Sequence, residues 1–137
     1  MCSYYFDTSI WLDFIEDRNE PNMPKGEWAH QLLKKVIITD KIICYSDAII
    51  IEFKAVGYSA FDIQGIFRPL RNVLAYVQST HEQRRRAKDL ASKRDVPRMD
   101  ALHALIARDN HALLVTLDHH FKELSDITKP HRPQDLI

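Results

Sequence analysis

The chain has 137 residues, the size of one ordinary domain, and 45% of them are hydrophobic while 28% are charged. This balance is typical of a folded globular protein and excludes a disordered or fibrous chain. The formal net charge is zero, so there is no overall basic field to attract nucleic acid, although a local basic patch could still do so.

The first part of the chain predicts a strand followed by two helices. Tyr4–Phe6 is short, aromatic and apolar, as expected of a first strand, and the hydroxyl residues Thr8 and Ser9 then predict the start of a short capped helix. Residues 19–26 contain two prolines and a glycine and predict a loop. Residues 27–38 repeat apolar side chains at helical spacing, which predicts an amphipathic helix.

The middle of the chain alternates again between strand and helix. Residues 42–45 predict a second strand, and Ser46 is expected to cap a helix over residues 47–57. Residues 61–70 predict a helix that ends near a proline, and residues 73–77 predict a third strand.

The last part of the chain continues this alternation. Residues 80–93 predict a strongly charged helix, and residues 97–110 predict another, with its proline at the first helical position. Residues 113–116 predict a short buried strand, and residues 126–137 are expected to add a final edge strand.

These alternating elements predict an α/β fold. We expect a three-layer α/β/α sandwich whose central parallel sheet has four or five strands, in a single domain over residues 1–137. The functional site of such a sheet lies at the carboxyl ends of its strands. That edge is therefore where the chemistry of the chain is expected.

The compartment is predicted from the cysteines and from the apolar segments. Cys2 and Cys44 have neither zinc spacing nor a redox motif, so we expect a loose thiol and a buried small hydrophobic residue. The N-terminal residues lack the basic region and the long apolar segment of a signal peptide. The most apolar stretch, residues 36–53, is broken by four charged residues, so no membrane span is expected. The expected compartment is a reducing cytoplasm.

Two acidic residues follow predicted strands. Asp7 comes directly after the first strand, and Asp118 comes one residue after the strand at 113–116. Either acid alone is well explained as a helix cap or a turn residue. Both are nevertheless expected at the carboxyl edge of the sheet.

Two further acids lie in helices among apolar or small residues. Glu52 shares a helix face with Ala48, Ala55 and Val56, so its carboxylate needs either a metal ion or a basic partner such as Arg or Lys. Asp100 lies in a first helical turn, where the helix dipole alone favours an acid. The alanines that follow it would let this helix approach the sheet edge closely.

If folding gathers these four carboxylates in one pocket, they require a cation. Two carboxylates ~4 Å apart repel each other by about 4 kcal/mol at an effective dielectric constant of roughly 20. Oxygen ligands select Mg²⁺ or Mn²⁺ rather than zinc. Such an ion can activate water and stabilise the charge on a phosphate under attack.

The chain resembles the PIN-domain nucleases, in particular the VapC-type toxins of toxin–antitoxin pairs. The resemblance covers nearly the whole chain, and the segments that carry the four acids occur in the same order as in that family. The segments are a strand ending in Asp-Thr-Ser at 5–9, a helix with the second acid at 46–52, the third acid within 97–101, and Thr-x-Asp-x-x-Phe at 116–121.

This resemblance implies an Mg²⁺- or Mn²⁺-dependent endoribonuclease that cuts single-stranded or loop RNA. The implied catalytic metal ligands are Asp7, Glu52, Asp100 and Asp118. By the same resemblance Ser9 and Thr116 would orient the ligands or water, although a helix cap and an ordinary strand hydroxyl explain them equally. Such toxins pair with a small antitoxin and form homodimers.

Residues 84–98 contain seven basic residues against two acidic ones. This patch could hold RNA phosphates next to the acidic pocket, and a solvated helix face explains it equally well. The candidate RNA-binding residues are Arg84, Arg85, Arg86 and Arg98. The seven histidines lack the spacing of a ligand set and are expected to be structural or surface residues.

Two other protein classes with an acidic pocket of this kind require residues that this chain lacks. A haloacid-type phosphatase needs a second Asp two residues after the first, where this chain has Ser9. A response-regulator receiver needs an Asp after the third strand, and residues 73–79 contain none. The remaining alternative is a PIN-like scaffold that binds RNA or a protein without cutting.

Overall fold

The computed structural model describes residues 2–137. The strands in this range are β1 Tyr4–Phe6, β2 Ile43–Ser46, β3 Leu74–Val77, β4 Leu113–Val115 and β5 Pro130–His131. The α-helices are α1 Thr8–Glu16, α2 Lys25–Ile38, α3 Asp47–Ala55, α4 Ala60–Phe67, α5 His81–Arg94 and α6 Arg98–Asp109. Short 3₁₀ helices occupy Arg68–Val73, His119–Leu124 and Pro133–Asp135.

The strands form one parallel sheet in the order β3-β2-β1-β4-β5. This confirms the predicted parallel α/β architecture. The chain builds outward from β1 to β2 and β3, then crosses back to β4 and β5. Because such crossovers are right-handed, α1 to α4 cover one face while α5 and α6 cover the other. The strand order reverses between β1 and β4. Parallel sheets bind ligands in the crevice that forms at such a reversal, at the carboxyl ends of the strands.

At three helix starts the capping residue or the position of the proline differs from the prediction, although α3 begins at Asp47 as predicted. Asp7, and not a hydroxyl residue, caps α1, since its carboxylate accepts a hydrogen bond from the Ile10 amide at 3.1 Å. Ser46 precedes α3 but makes no capping bond, because its Oγ atom is 2.7 Å from the hydroxyl of Tyr5. Pro97 lies immediately before α6 and not in its first turn.

Helix α6 can approach the sheet closely because its buried face carries small side chains. Ala101, Ala104 and Ala107 have no exposed surface at all. The predicted alanine face of this helix is therefore in contact with the core. Asp100, at the start of the same helix, is thereby brought near the carboxyl edge of the sheet.

The structure brings the two cysteines together in the core. Cys2 and Cys44 lie side by side, with their Cα atoms 5.5 Å apart. Cys2 lies two residues before β1, and Cys44 lies in β2, which pairs with β1. The expectation of one loose thiol is therefore wrong, since both cysteines are buried. Within residues 2–137 no helix is long and apolar enough to cross a membrane.

Asp13 carries a buried carboxylate on α1. Its side chain is 3% exposed, and Nη1 of Arg18 is 3.8 Å from its Oδ1 atom. Burial raises the pKa of Asp13 to about 6, and the positive charges of Lys25 and Arg18 offset part of that effect. At neutral pH this carboxylate therefore destabilises the folded protein.

We expect Asp13→Asn to be more stable than the parent at neutral pH by about 2 kcal/mol. The Asp13 carboxyl group binds its proton more tightly in the folded chain than in the unfolded chain. The stability that the protonated carboxyl group contributes is thus fully present below pH 3.8 and is lost as the pH rises through about 6. Urea unfolding at neutral pH and around pH 4 should show the gain only at neutral pH. A variant less stable than the parent at neutral pH would contradict this expectation.

Candidate metal centre

Asp7 and Asp118 lie at the carboxyl ends of adjacent strands. The Asp7 amide donates to the carbonyl of Val115, the last residue of β4, at 3.1 Å. Thr116 then links the two acids, because its hydroxyl donates to Oδ2 of Asp7 at 2.7 Å and its oxygen accepts from the Asp118 amide at 3.0 Å. The parallel pairing of β1 with β4 therefore brings together two acids that are far apart in sequence.

The Asp7 carboxylate is buried and held by three hydrogen bonds. Ser9 Oγ and the Ile10 amide donate to its Oδ1 atom at 2.8 and 3.1 Å, and Thr116 donates to Oδ2. Burial raises the pKa of Asp7, although the hydrogen bonds from Thr116 and Ser9 act in the opposite direction. Ser9 and Thr116 thus both bond the first acid and fix the direction of its oxygens.

Glu52 reaches the same edge from α3 and has a basic partner. Its Oε1 atom accepts a hydrogen bond from Thr8 Oγ1 at 2.5 Å and is also hydrogen-bonded to Nε2 of His103 on α6. Burial raises the pKa of Glu52, but the hydrogen bond and charge of His103 and the bond from Thr8 outweigh it and lower the pKa overall. The partner is thus a histidine and not one of the many Arg or Lys residues.

His103 continues this contact into the core. It is buried, and its Nδ1 atom is 2.6 Å from the hydroxyl of Tyr5, which is itself 2.7 Å from Ser46 Oγ. Burial raises the pKa of Tyr5 well above its usual value, so the phenol stays neutral and can donate. Because Nε2 faces a carboxylate, we assign the proton to Nε2 and let Nδ1 accept from Tyr5.

Asp100, Asp118 and His120 place three potential ligand atoms within 4.8 Å of one another. The Nδ1 atom of His120 is 3.0 Å from Oδ1 of Asp118 and 3.6 Å from Oδ2 of Asp100. Both this Nδ1 atom and Asp100 Oδ2 are buried, and neither has a hydrogen-bond partner within residues 2–137.

The remaining acids act on Asp100. Burial and the negative charge of Asp118 raise the pKa of Asp100 to about 7, with further contributions from Asp7 and Glu52. The three other predicted carboxylates therefore all lie close enough to act on Asp100. Only Asp100 and Asp118 belong to the cluster of potential ligand atoms within the described residues, whereas Asp7 and Glu52 have their own hydrogen-bond donors. The unpartnered buried oxygen and the mutual repulsion fit a bound divalent cation.

Comparison with known proteins identifies the family. The PIN domain profile matches residues 4–127. The chain belongs to the PIN domain family. No curated protein matches this PIN domain.

Two solved structures share the fold of this PIN domain. A toxin–antitoxin complex from Klebsiella pneumoniae is 18% identical with a TM-score of 0.68, over 96% of this chain and 98% of that one. VapBC2 from Rickettsia felis, bound to a DNA fragment from their promoter, is 18% identical with a TM-score of 0.64, over 94% of this chain and 97% of that one. At such identities the likeness concerns the fold alone.

The predicted RNA-binding arginines of this PIN domain differ in their surroundings. Arg84 donates to the carbonyl and hydroxyl of Ser79 at 2.7 and 2.9 Å, and Arg85 pairs with Glu82 at 2.5 Å. Arg86 and Arg98 are exposed and form no ion pair within the described range.

A second basic surface lies beside the acidic pocket. A cavity of about 600 Å³ has Thr116 and Asp118 on one side, and it is also lined by Lys122, Lys129 and Arg132. These three residues come from the 3₁₀ helix after β4 and from the chain around β5. Residue spacing alone did not single them out.

Two histidines of the site were not predicted from the sequence as functional residues. His103 lies three positions after Asp100, on the same side of α6, and this spacing could have indicated a partner for the acids. His120 lies two positions after Asp118, in the turn that this acid caps. Their spacing resembles no histidine ligand motif, because His103 meets Glu52 of another helix and His120 meets Asp100 of another helix as well as the nearby Asp118.

Proposed function

We propose that this PIN domain is a metal-dependent endoribonuclease that hydrolyses phosphodiester bonds in RNA. The proposed ligands of Mg²⁺ or Mn²⁺ are Asp7, Glu52, Asp100 and Asp118. The observation that carries the proposal is the position of Asp100 beside the other acids: burial and the charge of Asp118, with smaller contributions from Asp7 and Glu52, raise its pKa to about 7, and its Oδ2 atom has no hydrogen-bond partner within the described residues. A divalent cation would remove the repulsion that makes this arrangement costly.

When bound, the cation would supply an activated water and neutralise charge on the phosphate. The protein's own contribution is to hold the carboxylates in fixed directions. Ser9 and Thr116 orient Asp7, while Thr8 and His103 orient Glu52. Such fixed partners maintain the geometry of a metal site.

The proposal is tested by incubating the purified protein with mixed RNA and Mg²⁺ or Mn²⁺, with and without EDTA. We expect cleavage in the presence of either metal and none in EDTA. Cleavage that persists in EDTA would reject the metal mechanism. If the protein bound metal and RNA but cut no RNA, the scaffold function would be favoured instead.

We further propose that RNA phosphates lie along the cavity beside Asp118. Lys122 and Lys129 are exposed there, and phosphate contacts of lysines supply salt-dependent affinity without sequence preference. Arg84, Arg85, Arg86 and Arg98 are proposed as secondary contacts.

The double variant Lys122→Ala/Lys129→Ala is expected to bind RNA roughly tenfold more weakly and with a smaller salt slope, because two phosphate contacts are lost. Affinity should be measured at several salt concentrations. Lys41→Ala is the control, since this exposed lysine precedes β2 at the amino edge of the sheet. An equal loss in the control would show a general charge effect.

The biological role we propose is that of the toxin in a type II toxin–antitoxin pair, acting as a homodimer in the cytoplasm. The support is the fold shared with proteins from two toxin–antitoxin complexes. A short upstream gene encoding a DNA-binding protein that blocks cleavage on co-expression would support this role. Sedimentation measurements would test the dimer.

A further inference from the structure

His120 is the one nitrogen donor in the cluster of potential ligand atoms within residues 2–137, where Asp100 and Asp118 supply oxygens. Its side chain is 40% exposed, whereas that of Asp100 is 14% exposed. The Nδ1 atom of His120 is nevertheless buried, so this nitrogen points inward while another part of the ring faces solvent.

The spacing of these atoms suits ligands of one ion. Nδ1 of His120 lies 3.0 Å from Oδ1 of Asp118, a distance that would also suit a hydrogen bond, yet this nitrogen has no hydrogen-bond partner within the described residues. Oδ2 of Asp100, 3.6 Å from the same nitrogen, is unpartnered too. Adjacent ligands of an octahedral ion with bonds of about 2.1 Å lie roughly 3 Å apart.

The backbone holds His120 in this position. Asp118 Oδ1 accepts a hydrogen bond from the His120 amide at 2.9 Å, which closes the first turn of the 3₁₀ helix His119–Leu124. The next residue, Phe121, is fully buried and anchors that turn in the core. The direction of the imidazole is therefore set by the same turn that sets Asp118.

We propose that His120 is a metal ligand of this PIN domain, and that its Nδ1 atom and the Asp100 and Asp118 carboxylates bind one divalent cation that is preferentially Mn²⁺. Mg²⁺ favours oxygen ligands and retains several waters, whereas imidazole nitrogen suits transition metals. An oxygen-only site would show a smaller preference between these ions. This inference rests on the proposed function only in placing a divalent cation in the pocket.

The first test is isothermal titration of the metal-free protein with Mn²⁺ and with Mg²⁺ at one fixed pH. We expect His120→Ala to raise the Kd for Mn²⁺ by roughly tenfold or more. The Kd for Mg²⁺ should change by less than about threefold, because water replaces the nitrogen. His120→Asp, which supplies an oxygen at the same place, should shift the preference towards Mg²⁺.

The second test is spectroscopic and does not depend on catalysis. Electron spin echo measurements on the Mn²⁺-loaded protein should show coupling to an imidazole ¹⁴N nucleus. This coupling should vanish in His120→Ala and persist in His119→Ala. His119 is the matched control because it lies beside His120, with ring centroids 4.4 Å apart, and its Nδ1 atom is 3.8 Å from Oδ1 of Asp118, but its own side chain is 81% exposed.

The outcomes separate this inference from the proposed function. An unchanged or tighter Mn²⁺ Kd in His120→Ala would show that the imidazole is only a neighbour of the acids and would overturn the inference. A ¹⁴N coupling retained in that variant would overturn it also, by assigning the nitrogen to another histidine. Either result could accompany normal metal-dependent RNA cleavage. Failure of the parent protein to bind either metal would reject the proposed function and, with it, this inference.

Discussion

Asp7→Asn is expected to reduce RNA cleavage by roughly a thousandfold or more, since it removes a negative charge from the proposed metal site. The same change should leave the folded protein at least as stable as the parent at neutral pH. Burial raises the pKa of Asp7, so its ionised form destabilises the folded state. An asparagine can keep the bonds from Ser9 and Ile10 and donate to Thr116 Oγ1.

The measurements are single-turnover cleavage rates and urea unfolding on the same preparations. Asp13→Asn is the matched control, because it also replaces a buried aspartate of the first helical segment but lies near Arg18 and Lys25. The control should gain stability and keep its cleavage rate. If Asp7→Asn retained more than about a tenth of the parent rate, Asp7 would not be an essential ligand.

His103→Ala is expected to lower the free energy of unfolding by about 3 kcal/mol. The substitution empties a fully enclosed position and removes the partner that joins Glu52 to Tyr5. Tyr5 would keep its bond to Ser46, while Glu52 would keep the bond from Thr8. The half-buried Glu52 carboxylate would then lose the interaction that lowers its pKa.

Chemical denaturation should be compared with that of His119→Ala, whose exposed side chain should contribute within about 0.5 kcal/mol. His103→Gln should recover part of the loss, because an amide can donate to Glu52 and accept from Tyr5. A loss below about 1 kcal/mol for His103→Ala would mean that the network does little to hold the fold.

Much of the fold could be predicted because it follows from local patterns. Apolar runs at 42–45 and 113–116 and helical spacing at 27–38 carry their information within a few residues. Asp7 and Asp118 could be placed at one edge because parallel strands share a carboxyl end. The capping bonds were less exact, since α3 begins at Asp47 as predicted but the Ser46 hydroxyl bonds Tyr5 and makes no cap.

The histidine contacts could not be predicted because they depend on the packing of separate segments. Whether Glu52 meets a lysine, an arginine or a histidine depends on how α3 crosses α6. That crossing depends in turn on the buried alanines of α6. The proximity of Cys2 and Cys44 was missed for the same reason, since they come together only when the segments around β1 and β2 pair.

The proposed ligands come from segments that follow β1, lie within α3 and α6, and follow β4. On this assignment no fragment ending before residue 118 contains a complete site. During synthesis the protein would thus remain inactive towards its own messenger RNA until β4 had been made and inserted beside β1. A proteolytic cut that separates β4 from β1 would inactivate the enzyme in the same way, without touching any ligand.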